Sequence, residues 1–196
     1  MSTQNKQERA RTWTCVVYPD SAPDNWRDLL IEQTIPFVIS PLHDKDINAD
    51  GTPKKPHWHL LLTFPGMKSY KQVCKMIEPL NGTIPMVCHS AKAMTRYFAH
   101  LDNPEKAQYN IADIEAYGGI DLQELLKPTS SNRYEYIAQM IAWCAQNDII
   151  EYKDLMEYAI TEKYDTWFPV LCDSATVVIN AYIRSNRHHK ESKGGN

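Results

Sequence analysis

Strand-type patterning stops at one place in this chain. Before residue 130, short runs rich in β-branched and aromatic residues alternate with amphipathic stretches. After Lys127-Pro128-Thr129-Ser130-Ser131-Asn132, a segment of linker character, only helical periods remain. The break implies an α+β part followed by a small all-α part. In the first part, residues 11–18 read as a strand stopped by Pro19-Asp20, and Ser21 and Asp24 open a helix carrying Trp26, Leu29 and Leu30. Residues 35–40 form a second strand, 48–56 a loop or hairpin turn and 57–64 a third strand. Ser69 caps a helix to about residue 80 with Val73, Met76, Ile77 and Leu80 on one side. A short fourth strand over 85–89 precedes a helix from 91 to about 101. The order predicts a mainly antiparallel sheet with helices on one face, in a ferredoxin-like βαββαβ arrangement. In the second part, helices are expected over 134–145 (Tyr136, Ile137, Met140, Ile141, Cys144), 152–160 and 165 to about 184, the last broken near Pro169.

Of the 196 residues 43% are hydrophobic and 23% charged, and no apolar run reaches eighteen residues, so a globular chain without a membrane span is expected. Residues 1–10 lack the apolar core of a secretion signal and read as a disordered polar arm, which predicts a cytoplasmic protein. The five cysteines, Cys15, Cys74, Cys88, Cys144 and Cys172, are widely spaced in mostly apolar sequence, as buried free thiols are, and form no zinc pattern. A net charge of -3 argues against non-specific coating of nucleic acid. Basic contacts must then be local: Arg9 and Arg11, Lys54 and Lys55, Lys68, Lys71 and Lys75 at helical spacing, and Lys92 and Arg96 one turn apart.

In a strand, His57 and His59 project from one face and Trp58 from the other. Such a pair is half of a metal site, or two hydrogen-bonded histidines. His43 and Asp46, at the end of the preceding strand, are within reach of it if the strands are neighbours, about 4.8 Å apart. Three imidazoles and a carboxylate, without thiolate, suit Mn²⁺, Mg²⁺ or Zn²⁺; the alternative for His43 to Asp46 is a polar turn. On the helix 91–101, Tyr97 stands between Arg96 and His100.

Read together, His57-Trp58-His59, the phrase Ile39-Ser40-Pro41-Leu42-His43-Asp44-Lys45-Asp46, Tyr18-Pro19 and the 94–100 segment with its single tyrosine resemble the HUH endonucleases. Within these they look like the RepB-type replication initiators of small rolling-circle plasmids from Gram-positive bacteria. The resemblance covers about residues 11–120 and implies an HUH core in which His43, Asp46, His57 and His59 hold a divalent cation, Mn²⁺ before Mg²⁺ or another, and Tyr97 attacks DNA. The implied activity is nicking of one strand at the plasmid origin, leaving a 5′-phosphotyrosyl link and a 3′-OH that primes rolling-circle replication. A related transposase or relaxase, and a non-cleaving repressor on the same scaffold, are the alternatives. Sequence pattern divides the chain into an arm (1–10), a first domain (11–128), a helical domain (129–186) and a disordered basic tail (187–196). The resemblance implies that the first domain binds the origin and carries the endonuclease and that the second is an oligomerisation domain that builds rings, a hexamer among them. Host helicase and polymerase are the implied further partners.

Overall fold

The computed structural model describes residues 9–194, in two compact units that divide between Leu126 and Lys127. Residues 1–8, most of the expected arm, lie outside the described residues, and Arg9 and Ala10 already belong to the first strand.

The first unit is built on a five-stranded antiparallel sheet of order β4-β1-β3-β2-β5, where β1 is Arg9–Val17, β2 Phe37–Ile39, β3 Trp58–Ser69, β4 Met86–Val87 and β5 Glu115–Tyr117. The helices of this unit are α1 (Trp26–Ile31), α2 (Tyr70–Ile77), α3 (Ala91–Phe98) and α4 (Leu122–Leu126). Alternation along the strands sorts their side chains into two cores. Trp13, Cys15, Val17, Phe37, Ile39, Leu60, Leu62 and Phe64 face one way and are covered by Trp26 and Leu30 of α1 and Val73 and Ile77 of α2. Val38 and Leu61 face the other way, under Phe98 and Ala99 at the end of α3, with Leu122 and Leu125 of α4 packed behind. Helices therefore cover both faces, not one as the element order predicts. Each amphipathic stripe requires a sheet to bury it, but nothing in the stripe says which face.

Sequence signals account for the local boundaries. Ser69 and Gln72 form a capping box at the start of α2, each side chain serving the other's backbone N–H. The pairing of β1 on β3 jumps from Ala10↔Lys68 to Thr12↔Thr63, so the surplus residues are those around Pro65-Gly66, where proline has no N–H to give a ladder. The edge strand β5 is an element the sequence reading lacks. It lies against β2 because Gly118, at φ 71°, follows it; a Cβ there would meet Pro36 Cα at 2.6 Å.

The second unit holds α5 (Ser130–Gln146), α6 (Tyr152–Glu162), α7 (Trp167–Val170) and α8 (Thr176–Gly194). Its core is Tyr136, Met140, Cys144, Leu155, Ala159, Trp167, Val170, Leu171, Ala175, Ile179 and Ile183. Pro169 sits in the first turn of α7, where a missing N–H costs nothing, so it does not break the chain; a π turn over Leu171–Ala175 joins α7 to α8. Helix α8 continues to Gly194, so residues 187–194, expected as a disordered tail, are helical. None of the described helices is long and apolar enough to cross a membrane.

Candidate functional site

The two-residue period of β3 puts His57 and His59 on the face that Leu61 and Phe98 share. Beyond β2 the chain keeps pairing with β3. Ser40 N–H donates to His59 O (2.9 Å), His43 N–H to His57 O (2.8 Å) and His57 N–H to His43 O (3.2 Å). His43 thus lies directly across from His57. Ring centroids are 5.4 Å (His43–His57), 4.9 Å (His43–His59) and 4.9 Å (His57–His59) apart. One nitrogen from each falls within 4.8 Å of the others.

Hydrogen bonds assign the ring protons. A carbonyl only accepts, so His43 Nε2, 2.8 Å from Phe98 O, carries a proton, as does His57 Nδ1, 2.8 Å from Lys55 O. His43 Nδ1 is then a buried nitrogen without a hydrogen-bond partner, 3.5 Å from Asp46 Oδ2. Burial lowers the pKa of His43, outweighing the Phe98 bond and nearby Asp46. For His59, burial, with His43 and His57 as neighbours, pushes it down to about 3. An orphaned lone pair among crowded imidazoles, with a carboxylate beside it, is a donor set that fits a divalent cation.

Asp46 belongs to a second cluster that shares His43 and adds His100. Burial works against its charge, but the Tyr109 hydroxyl, donating to Oδ1 at 3.0 Å, and the neighbouring His43, His100 and Lys54 hold its carboxyl below the usual range. Tyr109 also lays its ring flat on His43, centroids 4.2 Å apart. Its own hydroxyl is pushed up to about 12, chiefly by burial. His100 is fully buried; Nδ1 donates to Ala107 O (2.7 Å) and Nε2 has no hydrogen-bond partner. Its φ of 56° puts a histidine where a helix end ordinarily has glycine. Its N–H bonds Tyr97 O and the next N–H, from Leu101, bonds Arg96 O, the two closing bonds of a Schellman motif. A strained, buried histidine beside a carboxylate is the kind of position that function retains.

Tyr97, half-buried on α3, turns its ring to this cluster, 5.5 Å from His59 and 4.8 Å from His100. The hydrogen bond from His43 to Phe98 O ties the same helix to the imidazoles. Sequence reasoning missed His100 and Tyr109 as site residues. His100 had a signal in its three-residue spacing from Tyr97, whereas Tyr109 had none.

The basic residues fare differently. Arg9 and Arg11 are exposed on β1, and Lys71 and Lys75 are exposed beside a cavity of about 660 Å³ between α2 and residues 81–85. Lys68 lies 5.8 Å from the Phe64 ring centroid. Lys54 reaches within 4.0 Å of Asp46; Lys55 pairs with Asp20 (2.7 Å) and Lys92 with Glu124 (2.6 Å). Arg96 is not a DNA contact, because its guanidinium is fully buried, held by Asp102 (2.7 and 2.9 Å) and by the Leu126 carbonyl. Arg96→Met strands both partners and is expected to cost about 3 kcal/mol, the low end for a broken buried pair because Asp102 keeps some solvent. Urea unfolding together with a DNA-binding isotherm checks this: stability falls and affinity stays.

A sequence profile described as the origin-binding domain of plasmid replication proteins matches residues 5–123, and one described as the C-terminal part of replication protein RepB matches 130–188. The chain belongs to the RepB-type plasmid replication initiators. A replication protein of Staphylococcus aureus is 46% identical over 190 residues, 96% of each chain. A replication protein RepB of Lactiplantibacillus plantarum is 40% identical over 185 residues, 94% of this chain and 84% of that one. The family membership makes residues 5–123 an origin-binding domain and agrees with the HUH pattern of the site.

Acid should weaken this domain. Between the ordinary imidazole value of 6.5 and the lowered value of about 3 for His59, the unfolded chain takes up a proton that the folded chain refuses. That contribution to stability is intact above about 6.5 and is lost as pH falls through the window. Urea midpoints should be lower at pH 5 than at pH 7, and His59→Gln should flatten the difference.

Proposed function

We propose that this initiator is a site-specific single-strand DNA endonuclease and strand transferase of the HUH type, and that its tyrosine does the cutting. The observation that carries the reading is the approach of Tyr97 to the imidazole cluster, 5.5 Å from the His59 ring, on a helix that His43 itself grips through Phe98. His43, His57 and His59, with Asp46, would hold the divalent cation, Mn²⁺ before Mg²⁺; when bound it supplies Lewis-acid polarisation of the scissile phosphate. Tyr97 Oη forms a bond to phosphorus as the bond from phosphorus to O3′ breaks in line. The phenol proton goes to water, and the departing 3′ oxygen gains one from water. The product is a 5′-phosphotyrosyl link and a 3′-OH able to prime a polymerase. Because one ester replaces another, the link retains what rejoining needs.

The helical unit is proposed to assemble copies of the chain into a ring. Tyr134, Val177 and Val178 expose 76%, 80% and 51% of their surface and would be the apolar side chains that meet a second copy. Host helicase and polymerase would follow at the nicked origin. The test is a supercoiled plasmid carrying the chain's own replicon, incubated with protein and Mn²⁺. Nicked circles with protein that stays on the DNA through denaturing electrophoresis are expected; binding without any covalent product would leave the non-cleaving repressor.

A further inference from the structure

A cation stands at the oxygen of Tyr97. Lys106 Nζ donates to Tyr97 Oη at 3.3 Å and lies 4.5 Å from the ring centroid. A surface lysine usually sweeps through many rotamers, but the backbone that carries this one is fastened at several points to the end of α3. Arg96 grips Asp102, Asn103 N–H donates to His100 O (2.9 Å), and Lys106 N–H donates to Asn103 O (3.0 Å). Gln108 Nε2 donates to the carbonyls of Asn103 and Lys106 (3.0 Å each), and His100 Nδ1 donates to Ala107 O (2.7 Å). The strained turn at His100, whose φ is 56°, starts this loop, and His100 closes it again at Ala107. The stretch 100–108 is thus a small strap that returns one ammonium to the side chain at the last turn of the helix it leaves.

We propose that Lys106 is a catalytic residue that stabilises charge on the Tyr97 oxygen in both directions of strand transfer. The proposal rests on Tyr97 being the nucleophile. In cleavage, Oη loses its proton to water and bears negative charge until its bond to phosphorus is complete. In rejoining, a 3′-OH gives its proton to water as its oxygen bonds to phosphorus and the bond from phosphorus to Oη breaks; Oη leaves bearing the same charge and then takes a proton from water. Lys106 stays protonated throughout and donates to Oη. A charged donor gains strength as the acceptor becomes anionic, so the contact stabilises the transition state more than the resting phenol.

The experiment uses the full chain with Mn²⁺ and a labelled single-stranded oligonucleotide spanning the nick mapped on its own replicon. It follows covalent adduct formation at saturating oligonucleotide, then rejoining on adding the 3′-OH fragment. Lys106→Met is expected to slow both steps about 100-fold, the effect of removing one donor from a developing oxyanion. Lys106→Arg should recover to within about 10-fold of wild type, because the charge and a donor remain. Should the Met variant melt lower than wild type, Lys106→Gln takes its place. Wild-type rates at saturation, a loss confined to affinity, a loss in one direction only, or an Arg variant no better than Met would each overturn the assignment. Tyr97→Phe run in parallel separates the two ideas. Adducts from the Phe variant remove the nucleophile itself, whereas no adduct with Phe and full activity with Met removes Lys106 alone.

Discussion

Tyr97→Phe is expected to abolish the covalent adduct and to reduce nicking by on the order of 10⁴-fold or more, since no remaining atom can take the place of the phenolic oxygen. The substitution is clean. It keeps the ring that packs 5.5 Å from His59 and 4.8 Å from His100, and removes only the hydroxyl that Lys106 touches. Folding stability should change by less than about 1 kcal/mol, and origin binding should be unaffected. Nicking of supercoiled plasmid, read beside an equilibrium binding curve, decides it: full cleavage by the Phe variant would sink the assignment of Tyr97.

The second large effect concerns the imidazoles. If they hold a divalent ion in the folded state only, Mn²⁺ at 100 times its dissociation constant should add about 2.7 kcal/mol of stability. For a domain of this size that is a rise in melting temperature of roughly 10 °C. His57→Ala combined with His59→Ala leaves His43 Nδ1 and Asp46 without the other two donors, so the rise should vanish and nicking with it. Comparing each protein with and without Mn²⁺ cancels the cost of the substitutions themselves. A double variant that still gained stability from Mn²⁺ would place the ion elsewhere.

What the sequence could and could not tell follows from how each feature is encoded. The alignment of His57 with His59 is a period of two and was legible at once. His43 lies across from His57 because an apolar strand ends just before it, also a local signal. Strand β5 has three residues, one of them the Glu115 that pairs with Arg27 of α1, so neither length nor apolar patterning marks it. Arg96 was misread because Lys92, one turn earlier, suggested a solvated basic face; the partner that buries it, Asp102, comes after the helix has ended. Tyr109 stacks on His43 from a loop with no motif, and only the folded chain brings the two together.

The bond from His43 to Phe98 O links the phase of a helix to the imidazole cluster. Each residue along an α-helix turns the side chain by about 100°, and Phe98 directly follows Tyr97. If α3 slipped by one residue, His43 would meet a different carbonyl and the phenol would swing off the imidazoles altogether. A chain that has closed this contact has therefore clocked its tyrosine into place before any DNA arrives. Insertions within α3 should accordingly be far less tolerated than insertions in the exposed turn at residues 48–52, which touches neither.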